Sequence, residues 1–342
     1  MTGARVKVGV IGLGRFGESH LHAYRSIRHA EVVAVASRSR ERANEIASRF
    51  AVPRSYDDFR ALIADPGVEA ISVTTGEHDH RDPVVAALAA GKPVLVEKPM
   101  ASTLADADAM LEAARRSAAF LMPGHILRFE PKYAALKEAV ERGELGELTS
   151  ISARRNRLRG QVPIYGRAGP ALVTAIHDID VMLWITGSTV VSVRAFQRLG
   201  TLPGDHCGVW ALMRLASGTI AMIESSWMTP DGVEPGGDDA FSAIGTKGLA
   251  RIQFDVPPMW ISTSDGLRAP DVSFEPRVNG VSTGALREEL AYFTACVLDG
   301  IRPTAIAPED GRAALAVALA MIDSARQDRE IVLAPPAVPV AS

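Results

Sequence analysis

The 342-residue chain is expected to fold as an α/β domain with a doubly wound parallel sheet, followed by an α+β domain on a large, mainly antiparallel open sheet. Three observations predict this. Strand-like and helix-like segments alternate from the N-terminus to about Pro123, the pattern of a parallel sheet covered on both faces. The first strand runs into Gly12-Leu-Gly-Arg-Phe-Gly17. From about Leu148 onward, long β-type runs separated by turn signals dominate. Domains usually hold about 100–200 residues, so two are expected, over 1–123 and 124–333. Residues 334–342, which begin Ala-Pro-Pro-Ala-Val-Pro, are expected to form a disordered tail.

The elements follow in order. Val6 to Ile11 is β-rich, and a helix is expected over Arg15 to Arg28. Glu31 to Ala36 is a second strand, Arg40 to Phe50 a helix capped by Ser39, and Tyr56 to Ala64 a third helix. Val68 to Val73 and Val94 to Val96 read as strands, each followed by a helix, Asp82 to Ala90 and Leu104 to Arg115. Ala119 to Met122 completes the first sheet. Pro131 to Arg142 is a helix closed by Gly143. Strands are then expected over Leu148–Leu158, Val190–Leu199, Cys207–Leu215, Thr219–Trp227, Ala240–Ala243 and Leu249–Phe254. Helices at Ala171–Ile185, Leu286–Leu298 and Pro308–Gln327 complete the set.

The composition, 47% hydrophobic and 23% charged, is that of a soluble globular chain. A net charge of −3 gives no reason to expect a nucleic-acid partner. Arginines crowd only at Arg154, Arg155, Arg157 and Arg159, beside Asn156, which suits an anionic small molecule. Cys207 and Cys296 are the only cysteines, too isolated for a disulfide framework, and metal-ligand spacing is absent. Met1 to Lys7 shows no signal-peptide pattern. The longest apolar helical patch, Ala313 to Ile322, falls short of the roughly 20 residues a membrane span needs. A cytoplasmic protein without a membrane partner is expected.

Gly12, Gly14 and Gly17 follow a strand and open a helix inside a βαβ unit, the context the dinucleotide fingerprint requires. Glycines permit the tight turn and close backbone approach to a pyrophosphate, and the helix N-terminus supplies N–H donors. Gly12, Leu13, Gly14, Arg15, Phe16 and Gly17 are therefore candidate cofactor contacts. A glycine-rich turn without function is the other reading. At the end of the second strand stands Ala36-Ser37-Arg38-Ser39-Arg40, with no carboxylate before Glu41. NAD sites usually place an acid there for the ribose hydroxyls. Ser37 can donate a hydrogen bond and Arg38 can pair with a 2′-phosphate, so NADP(H) is favoured over NAD(H). As plain residues, Arg38 and Arg40 would be solvated at a helix entrance.

Thr74 and Thr75, just past a strand end, are candidate cofactor partners. His78 and His80 lack a third metal ligand. His80 is expected to hydrogen-bond at a helix start within reach of the cofactor. The buried run Val94-Leu95-Val96 is followed directly by Glu97, Lys98 and Pro99. Ligands bind beyond the carboxyl ends of parallel strands, so Glu97 and Lys98 are placed at the cofactor. Pro99 keeps Lys98 out of the helical region, and the lysine can aim a cation at a bound molecule. A solvated lysine is the alternative. Downstream, His177 and Asp180 fall on neighbouring parts of one apolar helix face. The histidine either accepts a proton or is a satisfied core residue.

Gly12 to Gly17, Gly91-Lys-Pro-Val-Leu-Val-Glu97-Lys98-Pro99, and His177-Asp-Ile-Asp180 with Trp184 and Gly187 resemble the Gfo/Idh/MocA oxidoreductases over nearly the whole chain. Gly124-His-Ile-Leu-Arg-Phe-Glu-Pro131 and Gly143-Glu-Leu-Gly146 look like the sugar-nucleotide and sugar dehydrogenase branches. The resemblance implies a Rossmann domain over 1–123 and a substrate-binding domain over 124–333, whose open sheet forms homodimers or homotetramers. It implies hydride transfer between nicotinamide and a secondary alcohol of a sugar, cyclic polyol or sugar derivative. The family's lysine matches Lys98 and its histidine matches His177. Lys98 would hydrogen-bond the reacting oxygen, and His177 would exchange its proton. Arg128, Arg154, Asn156, Tyr165 and Thr174, with His177, are the candidate substrate contacts. The family's aspartate four positions before the histidine is here Val173, which implies a slower step or a substrate hydroxyl in that role. Asp178 and Asp180 do not automatically replace it. Two other readings stay open: a non-catalytic dinucleotide sensor, and a glycoside hydrolase using tightly held NAD.

Overall fold

The computed structural model describes residues 3–162, 168–199, 206–232, 237–254, 259–264, 266–268 and 270–333. Tyr165 and the segment 334–342 lie outside the described residues. The chain runs β1 (Val6–Ile11), α1 (Arg15–Tyr24), β2 (Ala30–Ala36), α2 (Arg40–Phe50), β3 (Arg54–Tyr56), α3 (Phe59–Ala64), β4 (Ala70–Val73), α4 (Arg81–Ala89), β5 (Val94–Glu97), α5 (Leu104–Arg116), β6 (Leu121–Gly124) and α6 (Pro131–Glu141). It continues through β7 (Leu148–Leu158), α7 (Ile176–Thr186), β8 (Val190–Leu199), β9 (His206–Leu215), β10 (Ile220–Thr229), β11 (Gly237–Gly245) and β12 (Leu249–Gln253). The short strands β13 (Ile261–Thr263), β14 (Gly266–Arg268), β15 (Arg277–Val278) and β16 (Val281–Ser282) precede α8 (Ala285–Asp299), α9 (Pro308–Gln327) and β17 (Ile331–Val332). The backbone divides into two compact units, Met1–Pro131 with Asp271–Leu315, and Lys132–Pro270 with Ala316–Ser342.

In the first unit six strands form one parallel sheet in the order β3-β2-β1-β4-β5-β6. Val8, Val10, Ile71, Val73, Leu95 and Val96 are fully buried, as strands covered on both faces require. The order reverses between β1 and β4, so the crevice beyond these strand ends is the ligand position of a doubly wound sheet. Thr103 caps α5 by accepting from the Asp106 N–H, and Ser39 caps α2 through the Arg42 N–H. Two expectations needed correction. Residues 54–56 are a strand paired with β2, and the helix expected from Tyr56 starts at Phe59, where Asp58 accepts from the Arg60 N–H. Helix α1 ends at Tyr24, four residues before the expected end. On β6, Pro123 is tolerated because the strand is at the sheet edge.

The second unit is built on a seven-stranded sheet in the order β12-β11-β7-β10-β9-β8-β17. Every neighbouring pair is antiparallel except β7 with β10. Along β9 and β10 buried and exposed side chains alternate, so one face is covered. The other face presents Phe196, Leu212, Met222, Ile244 and Leu249, all exposed. Helix α7 was expected to begin at Ala171, but residues Ala171–Ala175 form a π turn and the α-helix starts at Ile176. Gly187, at φ 58°, closes it in the left-handed conformation. Both folds match the expected α/β and α+β classes.

Candidate active site

Gly12 leaves β1 at φ +98°, a region that favours glycine. A Cβ on Gly12 would lie 2.5 Å from the Thr75 nitrogen, and one on Gly17 would lie 2.1 Å from the Gly12 carbonyl oxygen. A Cβ on Gly14 would meet nothing within 4 Å, so this glycine borders open space. Gly14 is also the N-cap of α1, and no side chain caps the helix. The first-turn N–H groups are thus left for an anion. Leu13 is buried, Arg15 is exposed, and Phe16 packs edge-on against His20. The turn is braced by Arg42, whose Nε donates to the Leu13 carbonyl at 3.1 Å while its guanidinium pairs with Glu18. Neither residue was singled out in the sequence.

Thr74 does not reach outward as expected. Its hydroxyl donates to the Gly12 carbonyl at 2.6 Å and locks the glycine turn to β4. The Thr75 Oγ1, by contrast, is buried with no hydrogen-bond partner among the described residues. That unspent hydroxyl and the open cradle at Gly14 fit a dinucleotide. Ser37 Oγ accepts the Ser39 N–H at 3.3 Å. Arg38 is 91% exposed and sits 3.3 Å from the Asp79 carboxylate, whereas Arg40 is occupied by Asp57 and the Ser55 carbonyl.

His80 stands at the N-cap of α4 but makes no capping bond. Its ring instead lies 3.0 Å from both the Pro99 and Thr75 carbonyls, bridging the loops after β5 and β4. Complete burial pushes the imidazole pKa down, opposed by the carbonyl bonds and by Glu97. His78 is largely exposed, and among the described residues no cluster could hold a metal.

Lys98 follows β5 half-buried, joined to Pro99 by a cis peptide. Glu97, expected at the cofactor, is instead turned inward and buried. Its Oε1 is 3.1 Å from His20 Nε2, and Oε2 accepts the Lys98 N–H at 3.2 Å. Arg128, an expected substrate contact, is buried in the same unit, where it donates to Asp310 at 2.9 Å and to the Ala305 carbonyl at 3.0 Å.

In the second unit His177 lies half-buried in the first turn of α7. The adjacent Asp178 is fully buried and receives two hydrogen bonds from Arg155 of β7, at 2.7 and 2.9 Å. Arg155 also donates to Asp239 of β11 at 2.9 Å, and Arg157 pairs with Asp239. Burial alone would raise the Asp239 carboxyl, yet Arg157 and Arg155 hold it below its ordinary value. The arginine crowd that suggested an anionic ligand is therefore largely consumed internally. Thr174 is buried and bonds to the Pro170 carbonyl and Ser225. Arg154 and Asn156 alternate with Arg155 and so face away from α7. Arg154 pairs with Asp238, and Asn156 donates to Glu224. Arg154 and Asn156 thus lie on the sheet face opposite the one that Arg155 turns toward Asp178.

Residues 6–125 match the model of the oxidoreductase family with an NAD-binding Rossmann fold, and residues 133–251 match the GFO/IDH/MocA C-terminal domain. The myo-inositol 2-dehydrogenase of Thermotoga maritima is 30% identical over 341 residues, covering 96% of this chain and 98% of its own. The chain belongs to the Gfo/Idh/MocA oxidoreductase family.

Many solved structures share its fold. A crystal structure of a probable dehydrogenase from Thermotoga maritima has a TM-score of 0.80 at 26% identity, covering 96% of this chain and 98% of the other. The scyllo-inositol dehydrogenase of Lactobacillus casei, solved with NAD(H) and scyllo-inositol, has a TM-score of 0.82 at 24% identity, covering 96% and 99%. The Gfo/Idh/MocA chain described here is accordingly an NAD(P)-dependent dehydrogenase acting on CH–OH groups, and its first unit carries the NAD-binding Rossmann fold. Val173, four positions before His177, is buried in the π turn before α7.

Proposed function

We propose that the protein oxidises a ring hydroxyl of a cyclic polyol, an inositol or a related sugar, with NADP⁺ favoured over NAD⁺. The observation that carries this is the half-buried Lys98 at the carboxyl end of β5, where a doubly wound sheet receives its ligands. The match over almost the full length to a myo-inositol 2-dehydrogenase supports the substrate class. The backbone of Gly12 to Gly17 and the α1 N-terminus would hold the pyrophosphate, and Thr75 would contact the dinucleotide. When bound, the nicotinamide supplies the hydride acceptor. Lys98 stabilises the negative charge that develops on the substrate oxygen. His177 takes the hydroxyl proton, a contribution typically worth about 10²–10⁴-fold. Val173 carries no carboxylate to orient the imidazole, so the Arg155–Asp178 pair that anchors α7 takes on more of the positioning.

The NADP⁺ preference rests on the exposed Arg38 and the lack of a carboxylate at the end of β2. Asp79 beside Arg38, and the NAD(H) held by the Lactobacillus casei relative, favour NAD⁺. A screen of myo-inositol, scyllo-inositol, sugars and sugar nucleotides with both dinucleotides, in both directions, decides. Reduction of NADP⁺ by a cyclic polyol is expected, and Arg38→Asp is expected to shift preference toward NAD⁺ by about tenfold or more. No change in nicotinamide absorbance with any alcohol overturns the proposal. We also infer a homodimer or homotetramer built through the exposed face of the second unit's sheet.

A further inference from the structure

A buried polar chain runs beneath the strand ends of the first unit. The Tyr24 hydroxyl, on α1, lies 3.0 Å from Ser72 Oγ on β4. Ser72 Oγ lies 3.1 Å from Nδ1 of His20, one turn earlier on α1. His20 Nε2 lies 3.1 Å from Glu97 Oε1, and Glu97 Oε2 accepts the backbone N–H of Lys98. All four side chains are buried, His20 and Ser72 completely. The carboxylate is also confined from the β6 side, since a Cβ on Gly124 would lie 2.8 Å from Oε1.

One proton order satisfies the whole chain. Tyr24 donates to Ser72, Ser72 donates to Nδ1, and the Nε2–H donates to Glu97, which accepts on both oxygens. In the reverse order the Tyr24 proton has no acceptor among the described residues, and a buried donor without a partner is costly. The imidazole is thereby assigned the Nε2–H tautomer.

We infer that His20 and Glu97 are positioning residues for Lys98. The imidazole clamps one carboxylate oxygen, and the other pins the Lys98 backbone, which sets the direction in which the lysine leaves β5. The inference rests on the reading of Lys98 as the group at the reacting oxygen, and it withdraws Glu97 from direct contact with the dinucleotide. Misplacing a catalytic group by about 1 Å can cost around 10²-fold in rate.

The test uses myo-inositol turnover and NADH binding by fluorescence. Glu97→Gln and His20→Phe are expected to lower kcat roughly 10- to 100-fold, with KM and the NADH Kd within about threefold of wild type. His20→Gln, whose amide nitrogen can still donate to Glu97, is expected to restore most of kcat. Full kcat with weakened NADH binding in Glu97→Gln overturns the inference and returns Glu97 to the dinucleotide. Lys98→Met separates the two layers. If it abolishes turnover while His20→Phe and Glu97→Gln turn over normally, only the positioning inference fails. If it keeps wild-type kcat, the reading of Lys98 fails and takes the inference with it. Independently of any substrate, ¹H–¹⁵N spectra of the His20 ring are expected to show the Nε2–H tautomer, and an Nδ1–H tautomer overturns the chain.

Discussion

Arg155 grips Asp178, the residue next to His177, with two hydrogen bonds, Nε to Oδ2 at 2.7 Å and Nη2 to Oδ1 at 2.9 Å. Both partners are buried, and Asp178 and Asp239 together hold the guanidinium well above its already high pKa against the pull of burial. Removing one partner of a buried pair strands the other. Arg155→Leu is therefore expected to cost about 3–5 kcal/mol of unfolding free energy. Arg155→Lys keeps the charge but loses the fork, and should retain part of that stability. Urea denaturation followed by circular dichroism measures both. A loss below about 1 kcal/mol in Arg155→Leu would show that the grip is not what seats α7.

The glycine turn separates folding from binding. A Cβ at Gly17 would collide with the Gly12 carbonyl, whereas one at Gly14 enters open space. Gly17→Ala is expected to lower the melting temperature and abolish NADH binding together. Gly14→Ala is expected to fold within about 1 kcal/mol of wild type yet bind NADH at least tenfold more weakly, because the methyl occupies the phosphate approach. Thermal unfolding and fluorescence titration on the two proteins check this. Equal NADH affinity in Gly14→Ala and wild type would remove the phosphate from this cradle.

The periodic elements were legible because a buried strand and a capped helix each leave a local mark. Ser39, the run Val94 to Val96 and the glycines all sit where their patterns placed them. The strand at 54–56 was missed because three residues carry no period, and its pairing with Ala34 to Ala36 is a tertiary event. The site was less legible. Lys98 and His177 were visible as motifs, but the residues that hold them in place act across the fold. His20 touches Glu97 from 77 positions away, and Asp239 reaches Arg155 from 84. The alternation of β7 puts Arg154 and Asn156 on the face opposite Arg155. That period was readable in advance, as was the acid beside His177.

His80 should make stability depend on pH. Burial depresses its folded-state pKa, while an unfolded histidine titrates near 6.5. Below that value the unfolded chain takes up the proton first, so the folded state loses stability as pH falls. The contribution is fully present above about pH 6.5 and is lost at no more than about 1.4 kcal/mol per pH unit below it. The melting temperature should drop further between pH 7.5 and 5.5 in wild type than in His80→Gln, which keeps a neutral hydrogen-bonding group between the two carbonyls. Parallel curves for the two proteins would mean that His80 does not set this slope.

The exposed sheet face of the second unit is apolar. Leu212 pairs with Met222 across β9 and β10, and both are more than half exposed. Phe196, Ile244 and Leu249 extend the apolar surface over β8, β11 and β12. Burying a side chain of this size is worth about 1.5–3 kcal/mol, and a two-fold interface counts each residue twice. Leu212→Glu replaces that gain with a desolvated charge on both sides of the axis. It is expected to weaken self-association by about 10²-fold or more, seen as a shift to monomer in light scattering after size exclusion. Its far-ultraviolet circular dichroism should be unchanged, because position 212 points away from the unit's own core. A wild-type protein that elutes as a monomer at micromolar concentration, or a Leu212→Glu protein with the wild-type mass, would sink the proposed interface.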